Sequence, residues 1–399
     1  MPSRLSAPES SAAPFTAARV QSRQVAGTVQ NMLWGRSAGR CEFAGCNKPL
    51  WKSSVTQERV NIAQKAHIYA FSSRGPRARR GIPVSVLNSV DNLMLVCHEC
   101  HQKIDRRRDG GRYKAPLLFQ MKAAHEQRVQ RVTGISERRQ SHVLLYGANI
   151  GEHGSPLAYE EAATAIFPGR YPASDTPISL GVVNSPSTDR DAGFWVAESG
   201  NLTRQFALGV RERVAQREIQ HLSVFALAPQ PLLVLLGVLL GDINNVDVYQ
   251  RRREPATWQW ASAGRHRRTS FRIEEPPDRN GPPALVLSLS ATVTPDRVVS
   301  VIGPRASIWT ITTRTPHNDL ITCRDQLSEL RIFLRRLLDR IKATHGQQTP
   351  VHIFPAAPVS AAVELGRVRM PKADSPWVIY DQLNARGAFV RALSIPAGE

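Results

Sequence analysis

Acidic side chains are under-represented in this sequence: 33 Asp and Glu face 52 Lys and Arg across 399 residues, a formal charge of +19. Such a surplus suits a polyanionic partner such as nucleic acid. Arg supplies most of it, which fits phosphate recognition and equally fits a GC-rich genome, so the charge supports that partner without establishing it. Long apolar runs are missing too. The longest, Pro231–Leu240, is about half of a membrane span, so no membrane partner is expected. Residues 1–25 hold Ser, Ala, Pro and Arg but lack the apolar stretch of a secretory signal. Cysteine is scarce as well. Five are present, an odd number gathered by motif, which argues against a disulfide framework and for a metal site in a reducing, cytoplasmic compartment.

The length allows two or three domains with cores of their own. Residues 1–27 read as a low-complexity, mobile tail. A cysteine-bearing domain follows over 28–133. It closes on Ala115–Val132, where Leu118, Met121, Ala124, Val129 and Val132 have the spacing of an amphipathic helix. Residues 134–141 read as a linker, and 142–399 as an α/β layered domain. There the pattern predicts strands at Val143–Tyr146, Leu222–Ala228, Val246–Gln250, Leu285–Val293, Ala306–Thr312, Val351–Pro355 and Val378–Asp381. It predicts helices at Leu157–Ile166, Pro231–Leu240, Cys323–Thr344 and Val359–Arg367.

This second domain contains a repeat. Ala228-Pro229 is followed by six residues and then Leu236-Gly237; Ala357-Pro358 is followed by six residues and then Leu365-Gly366. Each copy runs strand, Pro-bearing turn, helix, strand, and each half opens on a strand of similar kind, Val143–Gly147 and Val286–Ala291. The reading is two fused Rossmann-like halves related by duplication.

In the first domain, Cys41 and Cys46 form one pair and Cys97 and Cys100 another. That spacing fits a tetrahedral Zn2+ site with four thiolate ligands. A structural ion is needed because a small module of irregular loops has little core to hold its ends together. Cys323, alone in a helical stretch, reads as a core residue.

Between and after the pairs stand His67, Asn92 and His101. A strand ending at His67-Ile68, a loop, Asn92-Leu93 and a helix beginning near Cys97 would make a ββα-metal finger. The series Cys41…Cys46…Ala66-His67-Ile68…Asp91-Asn92-Leu93…Cys97-x-x-Cys100-His101…Ile104-Asp105 resembles an HNH endonuclease with its zinc-binding frame. The resemblance implies His67 as the general base that takes a proton from water. It implies His101 as a ligand of one catalytic divalent ion, Mg2+ or similar, and Asn92 as the residue that orients the His67 loop. Ala66 departs from the pattern, since many such sites carry an acidic residue or His there as a second metal ligand. Asp105 or water is the expected substitute. His98 and His125 match no motif position and read as surface or supporting residues. Arg74, Arg77, Arg79 and Arg80 lie between base and asparagine, and Arg106 and Arg107 follow the metal helix. They are expected to clamp the phosphates of double-stranded DNA without reading bases, hence with weak sequence specificity.

The stretch from His221 through Ala228-Pro229 to Val248-Tyr249-Gln250-Arg251 and Trp258-Gln259-Trp260 resembles a SAVED domain. So does the stretch from His352 through Ala357-Pro358 and Leu365-Gly366-Arg367 to Met370-Pro371-Lys372 and Ile379-Tyr380-Asp381. Such domains are similar to two fused CARF units and sense cyclic oligonucleotides, here a cyclic di- or trinucleotide activator. A pocket for one needs cations and aromatic faces. Gln250, Arg251, Arg253, Trp258, Trp260 and Lys372 supply them at or just after the carboxyl ends of predicted strands, where open α/β sheets bind ligands. The loops after Tyr146 and Ser290, and the turns at Pro355 and Pro358, are expected to line the same cleft. Trp258 and Trp260 alternate as in a half-buried strand, so one of them is expected in the core.

The fold expectation is an α/β multidomain chain: an HNH module with a four-cysteine zinc site, then a SAVED domain of two fused CARF/Rossmann-like halves. Together they resemble a bacterial, cytoplasmic anti-phage effector of the CBASS type. The expected activity is a metal-dependent DNA endonuclease that forms homo-oligomers when the cyclic nucleotide binds. The alternative is a non-catalytic zinc-ribbon regulator under nucleotide control, which would give His67, Asn92 and His101 no task. A sensor half that also degrades its ligand stays open.

Overall fold

The computed structural model describes residues 24–106, 112–151, 157–181, 187–191, 193–241, 243–261, 270–383 and 388–398. Most of the expected tail and Arg107 therefore lie outside the described residues. The chain divides into two compact units, Met1–Gly134 and Ile135–Glu399.

The first unit holds helix α1 (Gly27–Ser37), strands β1 (Ala63–His67) and β2 (Leu93–Cys97), and helices α2 (His98–Asp105) and α3 (Ala115–Thr133). β1 and β2 pair antiparallel, with Ala63 opposite Cys97 and His67 opposite Leu93. All five residues of β2 are buried, so its Leu-Met-Leu-Val-Cys run is covered on both faces by the core of the unit. The core joins Leu33 of α1, Leu93–Val96 of β2, Ile104 of α2 and Leu118 of α3.

The buried face of α3 differs from the expected one. Ala124 and Val132 are exposed, whereas Lys122 and His125 point inward. Each inward polar group has a partner, which is what makes its burial tolerable. Lys122 Nζ lies 2.6 Å from Glu126 and 3.8 Å from buried Glu42. His125 Nε2 sits 3.0 Å from the Ser37 carbonyl, so His125 is an interior residue.

The second unit is built on two sheets. The first half contains β3 (Gln140–Gly147), α4 (Tyr159–Ala165), β4 (Tyr171–Pro172), β5 (Ile178–Leu180), α5 (Phe194–Phe206), β6 (Leu222–Leu227), α6 (Gln230–Leu240) and β7 (Val246–Val248). The second contains β8 (Arg272–Glu274), β9 (Pro283–Ser288), α7 (Pro295–Ile302), β10 (Ser307–Thr312), α8 (Arg324–His345), β11 (Val351–Ala356), α9 (Val359–Arg367), β12 (Trp377–Leu383) and β13 (Ala388–Ile395). Both sheets share one parallel frame. β3 lies between β5 and β6, with β7 beyond β6; β9 lies between β10 and β11, with β12 beyond β11. Among the described residues, antiparallel edge strands are added in the second half, β8 on β10 and β13 on β12.

The stretch 134–141 is not a free linker. Glu137–Arg139 forms a 3-10 turn, and β3 begins at Gln140, because Ser141 is drawn into a buried network with His221 and Ser223. The predicted strand Leu285–Val293 ends early at Ser288, whose Oγ accepts from Val293 N and donates to the Ala291 carbonyl to turn the chain. Cys323 is buried, as expected, but stands just before α8 as its cap.

The strands alternate between two environments. Leu144 and Tyr146 of β3 face a large core shared with Leu285 and Leu287 of β9. Val143 and Leu145 face a smaller outer core with Phe225, Tyr249 and Trp258. The halves meet through α6 and α9. A Cβ added at Gly237 would lie 1.9 Å from the Val363 carbonyl oxygen, and one at Gly366 would lie 2.0 Å from that of Val234. The repeated Leu-Gly is thus the point at which two helix backbones touch.

Candidate functional site

In the first unit the four thiols of Cys41, Cys46, Cys97 and Cys100 lie within 4.8 Å of one another. β2 ends at Cys97, the first turn of α2 carries Cys100, and the loop after α1 carries the other two. Cys46 Sγ and Cys97 Sγ are 3.8 Å apart. Tetrahedral Zn–S bonds of about 2.3 Å place neighbouring sulfurs at about that separation. Burial pushes the Cys41 thiol up to about 12. Cys97 is also desolvated, yet hydrogen bonds from its neighbouring cysteines hold it below the usual thiol range. The donor set and its geometry fit a zinc ion.

Glu42 braces this loop. Its N–H donates to the Leu95 carbonyl (2.9 Å) and its Oε2 accepts from Leu95 N (2.6 Å). Burial raises its carboxyl to about 7, against the pull of Lys122.

At the far end of the hairpin, β1 delivers His67. Its Nε2 lies 3.0 Å from Asn88 Oδ1. An amide oxygen only accepts, so Nε2 is the donor in this contact, and in the neutral ring the lone pair is then on Nδ1. Asn92 is buried: its Oδ1 accepts from Tyr69 N (2.8 Å), and its Nδ2 donates to the carbonyls of Tyr69 (3.1 Å) and Leu87 (2.9 Å). It therefore pins the loop that follows His67 to the loop before β2. His101 and Asp105 share one face of α2, with Nε2 3.3 Å from Oδ2. Burial lowers the pKa of His101, and Asp105 opposes that shift. One nitrogen and one carboxylate oxygen side by side, both partly exposed, fit a divalent ion whose other positions are filled by water or phosphate oxygens. Ala66 is 1% exposed and faces the core, so its position offers no room for a ligand.

The basic loop divides. Arg74, Arg79 and Arg80 are exposed, as is Arg106. Arg77 is buried, which corrects the expectation that it clamps phosphate. Its Nε donates to the Ile68 carbonyl (2.8 Å), Nη1 to that of Ile104, and Nη2 to that of His67 (3.3 Å) and to Asp105 Oδ1 (2.8 Å). One guanidinium thus ties the end of β1 to the end of α2. Arg77 and Asn88 carried no distinguishing sequence signal in these roles; both lie in the segment between β1 and β2 among other arginines and polar residues.

In the second unit, the carboxyl ends of β3, β6, β9 and β11 form one edge. Ala148 N donates to the Leu227 carbonyl (3.1 Å) in the first half; Leu289 N and Ser290 N donate to that of Ala356 (2.9 and 2.8 Å) in the second. The helix starts are stitched across the halves. Gln230 Nε2 donates to the Ala357 carbonyl (2.9 Å), and Gln250 Oε1 accepts from Ser360 N (3.1 Å) and Ser360 Oγ (2.6 Å). Nearby, burial and the charge of Asp189 raise the Asp381 carboxyl to about 7.

The residues expected to line a ligand cleft are mostly occupied elsewhere. Tyr146 is fully buried in the shared core, and its Oη has no hydrogen-bond partner among the described residues. Trp258 packs edge-on against Phe225 at 5.2 Å and is a core residue. Trp260 is half-buried and stacks on Tyr249 at 5.7 Å. Arg251 pairs with Glu161 at 2.7 Å beneath the Trp258 ring, while Arg253 is exposed with its N–H on Asp319. Pro355 and Pro358 are buried; Ser290 is half-buried at the edge itself. Lys372 is on the opposite side. It follows the carboxyl end of α9, nine residues or about 13 Å from Pro358.

Residues 202–395, all within the second unit, match the family model for SAVED, the SMODS-associated and fused to various effectors sensor domain. Among solved structures, the chain is similar to the Acinetobacter baumannii Cap4 SAVED/CARF-domain containing receptor with the cyclic trinucleotide 2'3'3'-cAAA (TM-score 0.44, 10% identity, covering 70% of this chain and 56% of that one). It is similar also to the Moraxella osloensis Cap4 SAVED/CARF-domain containing receptor (TM-score 0.40, 11% identity, 70% and 54%). The chain thus spans a little over half the length of these proteins. No curated protein matches it. Among the described residues, no helix is long and apolar enough to cross a membrane.

Proposed function

We propose that this chain is a CBASS-type effector. Its SAVED unit binds a cyclic oligonucleotide, and its N-terminal ββα unit then hydrolyses phosphodiester bonds of double-stranded DNA with little sequence preference. The observation that carries the nuclease half is the arrangement around Arg77: a histidine oriented by Asn88 at the end of β1 and a His101–Asp105 pair on α2, held by one buried guanidinium. A non-catalytic zinc ribbon has no need of that arrangement.

In this reading His67 Nδ1 takes a proton from the attacking water, and Asn88 fixes the ring so that the lone pair faces it. Asn92 holds the loop. His101 and Asp105 would hold a divalent ion, which when bound would supply positive charge to stabilise the leaving oxygen and the added negative charge. Arg74, Arg79, Arg80 and Arg106 attract the backbone. The four cysteines hold zinc and with it the hairpin that carries His67. On the sensor side, a ligand at the carboxyl edge of the strands would bear on both helix starts at once, because Gln230 and Gln250 join them. Ligand binding shifts the protein toward an associated, cutting form only by its differential affinity for that form.

The deciding experiment is plasmid cleavage with Mg2+, with and without a panel of cyclic di- and trinucleotides. Cleavage that appears with one of them and vanishes in His67→Ala supports the proposal. Intact DNA under all conditions, with DNA binding retained, favours the zinc-ribbon regulator.

A further inference from the structure

The carboxyl ends of α6 and α9, together with one face of α8, enclose a cleft of about 990 Å3 on the side of the sensor unit away from the helix starts. Among the described residues, its lining includes six cations and no carboxylate: Arg331, Arg335, Arg336, Arg367, Arg369 and Lys372. Three of them are held from behind. Asp374 grips Arg335 with both oxygens (2.6 and 2.7 Å), Glu364 holds Arg367 (2.9 Å), and Arg369 is buried against Trp377. The other three stand at the rim. Arg331 donates to Ser328 Oγ (3.0 Å) and reaches a more distant Glu364 (3.6 Å). Arg336 and Lys372 are exposed, with no ion-pair partner among the described residues.

We propose that this cleft binds a nucleic-acid backbone, giving the sensor unit a DNA contact of its own. Arg331 and Arg336 are five residues apart on α8, a rise of about 7.5 Å, which spans about two phosphates of a strand at about 3.4 Å of axis each. The half-exposed side chains of Ile332 and Met370 beside them suit the apolar faces of sugars. A second copy of the chain is a poor occupant, since its own charge is +19. The inference rests on the reading of the chain as a DNA-acting protein, yet it can fail or hold independently of cleavage.

The test is binding of a short labelled duplex to the full-length protein carrying His67→Ala, titrated at several salt concentrations. Arg336→Gln with Lys372→Gln is expected to weaken binding roughly tenfold and to flatten the slope of log K against log salt by roughly 2. Ser328→Glu, which places a carboxylate beside Arg331 without removing any ion pair, is expected to weaken binding as well. Unchanged affinity and slope in both variants overturn the proposal. So does a loss confined to self-association or to cyclic-nucleotide binding, which assigns the cleft to a second copy or to the activator. Because binding is read in a protein that does not cut, failure of the nuclease reading leaves this result intact.

Discussion

Gly237 and Gly366 face each other where α6 crosses α9: a Cβ on Gly237 would sit 2.9 Å from the Gly366 Cα, and one on Gly366 would sit 2.8 Å from the Gly237 carbonyl carbon. The contact is reciprocal, each glycine facing the backbone of the other helix. It joins the helices that start at the carboxyl edge of the strands and end at the cationic cleft. Gly366→Ala is therefore expected to destabilise the second unit by about 2–4 kcal/mol, since one methyl must push two backbones apart. Gly237→Ala should cost a similar amount. The double variant should cost less than the sum, because the first separation makes room for the second methyl. Urea unfolding of the three variants measures this.

Arg77 and its exposed neighbours should separate cleanly. Arg77→Ala is expected to lower the stability of the first unit by on the order of 3 kcal/mol, because three backbone carbonyls and the Asp105 carboxylate lose a charged donor. Arg79→Gln and Arg80→Gln should leave stability nearly unchanged and each lower the salt slope of DNA binding by roughly 1. Unfolding curves and salt titrations on the same preparations distinguish the two behaviours.

Asn88 makes a sharper prediction about the reaction. Asn88→Ala is expected to slow cleavage on the order of 10–100-fold with zinc content and folding intact, since the His67 ring loses the acceptor that orients it. Asn88→Asp keeps an acceptor at the same place and should retain most of the rate. Equal loss in both would point to packing rather than orientation.

Zinc content is directly measurable. The wild-type chain should hold about one equivalent, and Cys100→Ser should lose it together with protease resistance of the first unit. Cys323→Ser, which alters only the cap of α8, should keep the ion.

Acid should weaken the second unit. His221 is buried beside Arg170 and Arg324, and burial above all holds its pKa down at about 4. Between about pH 6.5 and 4 the unfolded chain binds a proton that the folded one refuses, so stability falls with pH across that window by about 3 kcal/mol and is level below it. Replacing His221 with Gln should flatten this dependence, as read by unfolding at pH 7 and pH 5.

Much of the molecule follows from short-range patterns. Period-2 and period-3.6 apolar spacing placed Leu222–Leu227, Gln230–Leu240, Val351–Ala356 and Val359–Arg367 within a residue or two, because these elements bury continuous or one-sided apolar faces whatever they pack against. The two cysteine pairs foretold a cluster because thiolate spacing encodes a metal's geometry directly. The Ala-Pro and Leu-Gly repeat foretold two related halves. Tertiary structure decided which polar side chains are spent inside. Arg77 and Arg74 are indistinguishable in sequence, yet one is enclosed by carbonyls from β1 and α2 and the other faces solvent. Trp258, Tyr146 and Gln250 look like ligand-binding groups until Phe225, the shared core and Ser360 claim them. Lys372 moved to the far edge because α9 runs antiparallel to the strands it joins. A side chain's composition states what it can bind; only the packed chain determines whether a neighbour already occupies it.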